Sequence, residues 1–189
     1  IVFGDWSSDV CSSDLMTGGE AAVADRVVAE MEALGYDTVV RDDAGNVLGI
    51  LNGRFGEEVL LLNCHLDTAP VREENWTESP FSGSIRDGRL FGRGASDCKG
   101  GLAAQVYGAA LLKRALLPLQ GRIVVACTVA EESGASVGVR HLLDHTLTGM
   151  DMKPHWAVLG EPTDLGIYYG HDGWIEMDIV IEEIGRAHV

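Results

Sequence analysis

Short apolar, β-rich runs alternate with helical stretches along this sequence, and the alternation predicts an α/β fold with a mostly parallel central sheet and helices on both faces. Two further observations point the same way. The run 59–63 is apolar almost throughout, as expected of a strand covered on both sides. Chemically capable residues, among them His65, Glu131 and Glu161, stand just after such runs, where an open α/β sheet presents its functional groups. At 189 residues and 46% apolar content the chain can bury a core of ordinary size.

Each element has its own signal. Thr17-Gly18-Gly19-Glu20 has the spacing of a capping box, and Val23, Val27, Val28, Met31 and Leu34 then recur at helical intervals up to Gly35, predicting a helix over 17–34. Strands follow at 38–41, 46–51 and 59–63. A helix over 101–117 is stopped by Pro118. The run 123–129 reads as another buried strand, 136–144 as a helix and 156–159 as a strand. After Gly173, Ile175, Met177, Ile179 and Ile181 alternate with Glu176 and Asp178, which predicts a half-exposed strand over 174–181 that has left the first sheet. There is no internal repeat and no low-complexity stretch.

The two ends read as foreign. Asp9-Val10-Cys11-Ser12-Ser13-Asp14 can be encoded GAC GTG TGC TCT TCC GAT, and the reverse complement of that string encodes Ile184-Gly185-Arg186-Ala187-His188-Val189. One DNA sequence read in both directions, resembling a sequencing adapter, accounts for both tails. Residues 1–15 and 184–189 are therefore excluded from the fold. Removing them takes away three acids and one arginine and changes the formal charge from -15 to -13.

Such an acidic chain lacks the clustered Lys and Arg that nucleic acid or an anionic membrane surface would require. No apolar run reaches the roughly 18 residues that span a bilayer, and the basic-then-apolar order of a secretory signal is missing, so a cytoplasmic location is expected. The cysteines at 64, 98 and 127 show no paired ligand spacing and read as buried or semi-buried thiols.

Four motifs carry the candidate chemistry. His65-Leu66-Asp67 ends a strand, and Asp67, two residues on, can buttress the imidazole. Phe91-Gly92-Arg93-Gly94-Ala95-Ser96-Asp97-Cys98-Lys99-Gly100-Gly101 holds one acid in a glycine-rich turn before a helix; the order of residues is not that of a phosphate-binding loop. Ala130-Glu131-Glu132-Ser133-Gly134 puts adjacent acids at a strand end, where one can ligate while the other handles protons. Leu159-Gly160-Glu161-Pro162-Thr163 adds a further carboxylate after a short strand. Taken singly, each has an ordinary explanation as a surface pair, turn or solvated loop tip. Together, one imidazole and several carboxylates at successive strand ends make a nitrogen and oxygen donor set suited to zinc, or to cobalt or manganese.

In this order and spacing the four motifs resemble the zinc-dependent amidohydrolase and exopeptidase family that includes acetylornithine deacetylase, succinyl-diaminopimelate desuccinylase, aminoacylase and carboxypeptidase G. The resemblance spans 16–182. It implies a zinc exopeptidase-like catalytic domain, incomplete, over 16–172, and the first strand of a lid and dimerisation domain over 173–183. It implies two zinc ions, with His65 and Glu161 on the first, Asp97 bridging both and Glu132 on the second. Glu131 would be the general base and Asp67 the partner of His65. The implied substrate is a small N-acyl amino acid or peptide, and the full-length protein a homodimer.

The family's last metal-ligating histidine and a substrate-contacting lid histidine are expected beyond this chain. His188 is not counted as the latter, and His171 reads as a hinge-surface residue. The chain alone is accordingly expected to be catalytically dead or nearly so. Two rival readings are a non-catalytic, degenerate metal- or ligand-binding member of the same fold and a nucleotide-binding α/β protein, the second weakened by the missing phosphate motifs.

Overall fold

The computed structural model describes residues 17–115, 118–170 and 173. The two tails, the strand expected over 174–181 and His171 lie outside the described residues. No described helix is long and apolar enough to cross a membrane.

The first helix, α1, runs Ala21–Leu34 and ends on Gly35 in the left-handed conformation, with the Gly35 amide on the Glu32 oxygen at 3.0 Å and the Tyr36 amide on the Met31 oxygen at 3.1 Å closing the last turn. It starts later than the capping-box spacing implies. Thr17 does not cap it: its hydroxyl donates to Asp67 Oδ2 at 2.8 Å, and Glu20 carries no side-chain cap. A tertiary partner fifty residues away outcompetes the local one.

The central sheet contains β1 (Thr38–Arg41), β2 (Val47–Asn52), β3 (Phe55–His65), β6 (Gln120–Thr128) and β7 (Trp156–Leu159), in the order β1-β2-β6-β3-β7. β6, β3 and β7 run parallel, and β2 is antiparallel to both of its neighbours. Four of the five strands thus point the same way, with β2 reversed, in agreement with the mostly parallel sheet expected.

The strands sort their side chains by alternation. Val47 and Leu51 of β2, with Ile123, Val125 and Cys127 of β6, face α1 and the helix α2 (Gly101–Arg114), meeting Val27, Met31, Leu102 and Val106. Leu48 and Ile50, with Val124, Ala126, Val59 and Leu61, face the opposite way onto Leu142 and Leu147. Those two residues belong to a helical stretch made of α3 (Val137–His141), a wider turn over Leu142–Thr146 and α4 (Leu147–Gly149), longer than the helix expected over 136–144.

The stretch between β3 and α2 holds elements that the sequence reading does not include. Between β3 and α2 lie a single helical turn at Glu73–Asn75 and a hairpin of β4 (Ser84–Arg86) and β5 (Arg89–Phe91). Its turn residues Asp87 and Gly88 both have positive φ, at 49° and 73°, the backbone a tight hairpin of this hand requires.

Register places the site. His65 at the end of β3 pairs with Thr128 at the end of β6, and Asn63 pairs with Leu159 at the end of β7. Three parallel strands therefore stop side by side, and the segments that follow them, 66–69, 129–132 and 160–161, emerge together.

Candidate metal centre

His65 closes β3 and is 2% exposed. Its Nδ1 lies 2.9 Å from the main-chain oxygen of Asp67. A carbonyl can only accept, so Nδ1 carries the proton and donates, and Nε2 is left to face the site. The buttress is thus chiefly the Asp67 carbonyl; the Asp67 carboxylate is farther, at 3.5 Å. From Nε2, Asp97 Oδ1 is 2.9 Å away and Glu161 Oε1 3.9 Å.

Asp97 sits in the turn Ala95–Gly100, entered through Gly94 in the left-handed conformation, and departs from helical dihedrals within it. α2 continues directly from that turn. Glu161 reaches the same point because the chain leaving β7 crosses the start of α2 at very short range: a Cβ on Gly101 would stand 2.0 Å from the oxygen of Gly160, and a Cβ on Gly160 2.2 Å from Cys64 Sγ. Glycine at both positions is what permits the crossing.

Potential ligand atoms of His65, Asp97, Cys98 and Glu161 all lie within 4.8 Å of one another. Cys98, a buried or semi-buried thiol on the sequence reading, is not among the ligands the sequence leads one to expect. It is fully buried, its Sγ accepts the His65 amide at 3.0 Å, and a hydrogen bond with Cys64 together with burial pushes its thiol far above the usual range. It supports His65 from below as a neutral thiol. Its position directly after Asp97 was the available signal.

Glu132 is outside this compact group. Its Oε1 accepts the amide of Ala69 at 2.9 Å, which holds the carboxylate beside the cluster. Glu131 is exposed on the same loop. Asp67, fully buried, organises that loop: its carboxylate accepts from Thr17 Oγ1 at 2.8 Å and from the amides of Glu131 and Glu132 at 3.1 Å each.

The electrostatics are those of a concentrated anionic site with one imidazole. Burial alone would raise the Asp67 carboxyl, but hydrogen bonds from His65, the Glu131 amide, Thr17 and the Glu132 amide outweigh it and hold it below its ordinary value. Glu161 is raised by burial and by repulsion from Asp97, Glu131 and Glu132, against the pull of His65. Glu132 is raised by burial and by Asp97 and Glu131, against His65 and the Ala69 amide. Burial would lower His65, but hydrogen bonds with Asp67, Cys98 and Asp97 raise it to about 12. The Glu132 and Glu161 carboxyls, pushed up by burial and by neighbouring acids, around a histidine that holds its proton, form with Asp97 a donor set that a divalent cation would relieve.

The mostly parallel α/β layer and this cluster of donors at adjacent strand ends define the class: an α/β domain with a candidate divalent-cation site. The chain belongs to the peptidase family M20/M25/M40, whose sequence model matches residues 61–180. It is 31% identical over 166 residues to the uncharacterized protein YgeY of Escherichia coli K12, covering 87% of this chain and 40% of that one. It is 38% identical over 117 residues to succinyl-diaminopimelate desuccinylase 2 of Ruegeria sp. TM1040, covering 60% of this chain and 28% of that one. Among solved structures, the M20 family metallo-carboxypeptidase Sso-CP2 of Sulfolobus solfataricus superposes with a TM-score of 0.67 at 22% identity, over 84% of this chain and 36% of that one. Human carnosine dipeptidase 1 does so with 0.66 at 19%, over 83% and 36%. The chain spans about two fifths or less of the length of these relatives.

Proposed function

We propose that this chain is the metal-binding part of a two-zinc hydrolase that cleaves the amide bond of a small N-acyl amino acid or peptide. The observation that carries the reading is the convergence of His65, Asp97 and Glu161 within 4.8 Å at the ends of β3 and β7 and the start of α2. The desuccinylase among the relatives supports an N-acyl amino acid as substrate.

The residues present fit such a metal centre. His65 Nε2 and the carboxylates of Asp97 and Glu161 would hold one ion, with Asp97 shared and Glu132 serving a second. Bound there, the ions would supply Lewis acidity and bring a water's pKa down toward about 7. The remaining work falls to the protein. Glu131 takes the proton of the attacking water and returns it to the leaving amine, a shuttle suited to a carboxylate on an exposed strand-end loop. Asp67 orients His65 through its main-chain oxygen and fixes the Glu131–Glu132 loop through its carboxylate. Dimerisation through a lid domain belongs to the same reading and concerns the full-length protein.

Zinc stoichiometry tests it. Equilibrium dialysis of the wild-type chain should give one tightly held equivalent, and Glu161→Gln or His65→Ala should weaken that binding by well over tenfold. Unchanged zinc binding in both variants would contradict the assignment.

A further inference from the structure

Four consecutive main-chain N–H groups precede and include the acid pair, and each is donated to a side chain. Val129 N bonds Asn46 Oδ1 at 3.0 Å, Ala130 N bonds Glu20 Oε1 at 3.1 Å, and the amides of Glu131 and Glu132 bond the two oxygens of Asp67 at 3.1 Å. The three acceptors come from separate parts of the chain: the residue before α1, the turn before β2 and the loop after β3. All are at most 5% exposed. The segment has left the sheet and has no strand to satisfy these donors, and Ala130 is held at a φ of 55°, a conformation a non-glycine residue rarely adopts unaided.

The acceptors are themselves fixed. Glu20 Oε2 accepts from Gly18 N at 2.8 Å, so both of its carboxylate oxygens are used. Asn46 Nδ2 donates to Asp42 Oδ2 at 2.8 Å and to the oxygen of Gly138 at 3.0 Å, tying the same side chain to the start of α3. Gly138 lies so close that a Cβ there would stand 2.7 Å from Asn46 Oδ1 and 2.2 Å from the oxygen of Val129. A row of amides held by rigid, fully engaged acceptors has little freedom to shift, and an error of about 1 Å in a reacting group can cost on the order of a hundredfold in rate.

We infer that Glu20 and Asn46, although neither reaches the metal centre, are positioning residues that set the place of the Glu131–Glu132 pair. Glu20 acts at Ala130 and Asn46 at Val129, upstream of the two amides that Asp67 holds. The inference rests on the roles proposed above for Glu131 and Glu132.

The test uses the full-length protein that contains this chain, loaded with zinc, and compares wild type with Glu20→Ala, Glu20→Gln and Glu131→Gln. Turnover of N-acyl amino acids is read as kcat and KM per zinc-loaded molecule, so that loss of folded protein does not count as loss of rate. Glu20→Ala should lower kcat roughly 10- to 100-fold with KM little changed. Glu20→Gln should recover most of it, because its side-chain oxygen can still accept from Ala130. Wild-type kcat in Glu20→Ala, or a Gln variant as slow as the Ala variant, would overturn the positioning role. Full activity in Glu131→Gln would instead overturn the assignment of the base.

Discussion

At His65 a main-chain atom decides which ring nitrogen is available. The Asp67 carbonyl can only accept, so the proton stays on Nδ1, and in the absence of a cation Nε2 is protonated too, because its neighbours raise the ring to about 12. A cation that takes Nε2 must displace that proton. The sign follows: affinity falls as pH falls, since proton and metal compete for one atom. Apparent zinc affinity should rise by about tenfold per pH unit between roughly pH 6 and 8, and calorimetry in buffers of different ionisation enthalpy should count at least one proton released. Affinity independent of pH would contradict this.

Asp67 gives the complementary case. Its folded pKa is depressed, so its contribution to stability is fully present above the ordinary aspartate value of about 4 and is lost as pH falls through the folded value. Asp67→Asn should destabilise the chelated chain at neutral pH by about 1–3 kcal/mol, because buried donors lose their acceptor. Urea unfolding from pH 7 down to pH 3 should show a shallower acid loss in the variant. Superimposable curves would show that the three hydrogen bonds contribute little.

Among the elements, the clearest test is the crossing of the segment after β7 over α2. Gly101→Ala would drive a methyl carbon into the Gly160 oxygen, which is backbone and cannot swing aside. We expect it to displace Glu161, weaken zinc binding by well over tenfold and cost about 1–3 kcal/mol of stability. Zinc titration and thermal unfolding of the same variant check both.

The elements also show what a sequence can reveal. β1 and β7 coincide with the segments expected, and the long strands and helices follow from apolar periodicity with shifts of a few residues at their ends. The hairpin of β4 and β5 escaped because three-residue strands are too short to display alternation, although Asp87-Gly88 was a usable turn signal. The start of α1 was misplaced because the hydroxyl of Thr17 satisfies Asp67 instead of the helix, a choice made by tertiary structure.

For the whole molecule, the sheet acts as an alignment device. Parallel strands ending in register bring His65, the Glu131–Glu132 loop and Glu161 to one end, and the turn before α2 delivers Asp97. That much was legible, since each acid or imidazole follows an apolar run or a glycine turn. The supports were not: Glu20 read as part of a helix cap, and Asn46 as the first residue of a strand. Hydrogen bonds between residues 83 and 110 apart leave no local pattern to read.

The most direct measurement of the central claim is turnover before and after metal removal. The full-length protein containing this chain should hydrolyse N-acyl amino acids or dipeptides, lose that activity on dialysis against chelator and regain it when zinc is returned. Glu131→Gln should bind zinc yet fall by about 100-fold or more in kcat. Hydrolysis that survives chelation, or that persists at the wild-type rate in Glu131→Gln, would contradict the account.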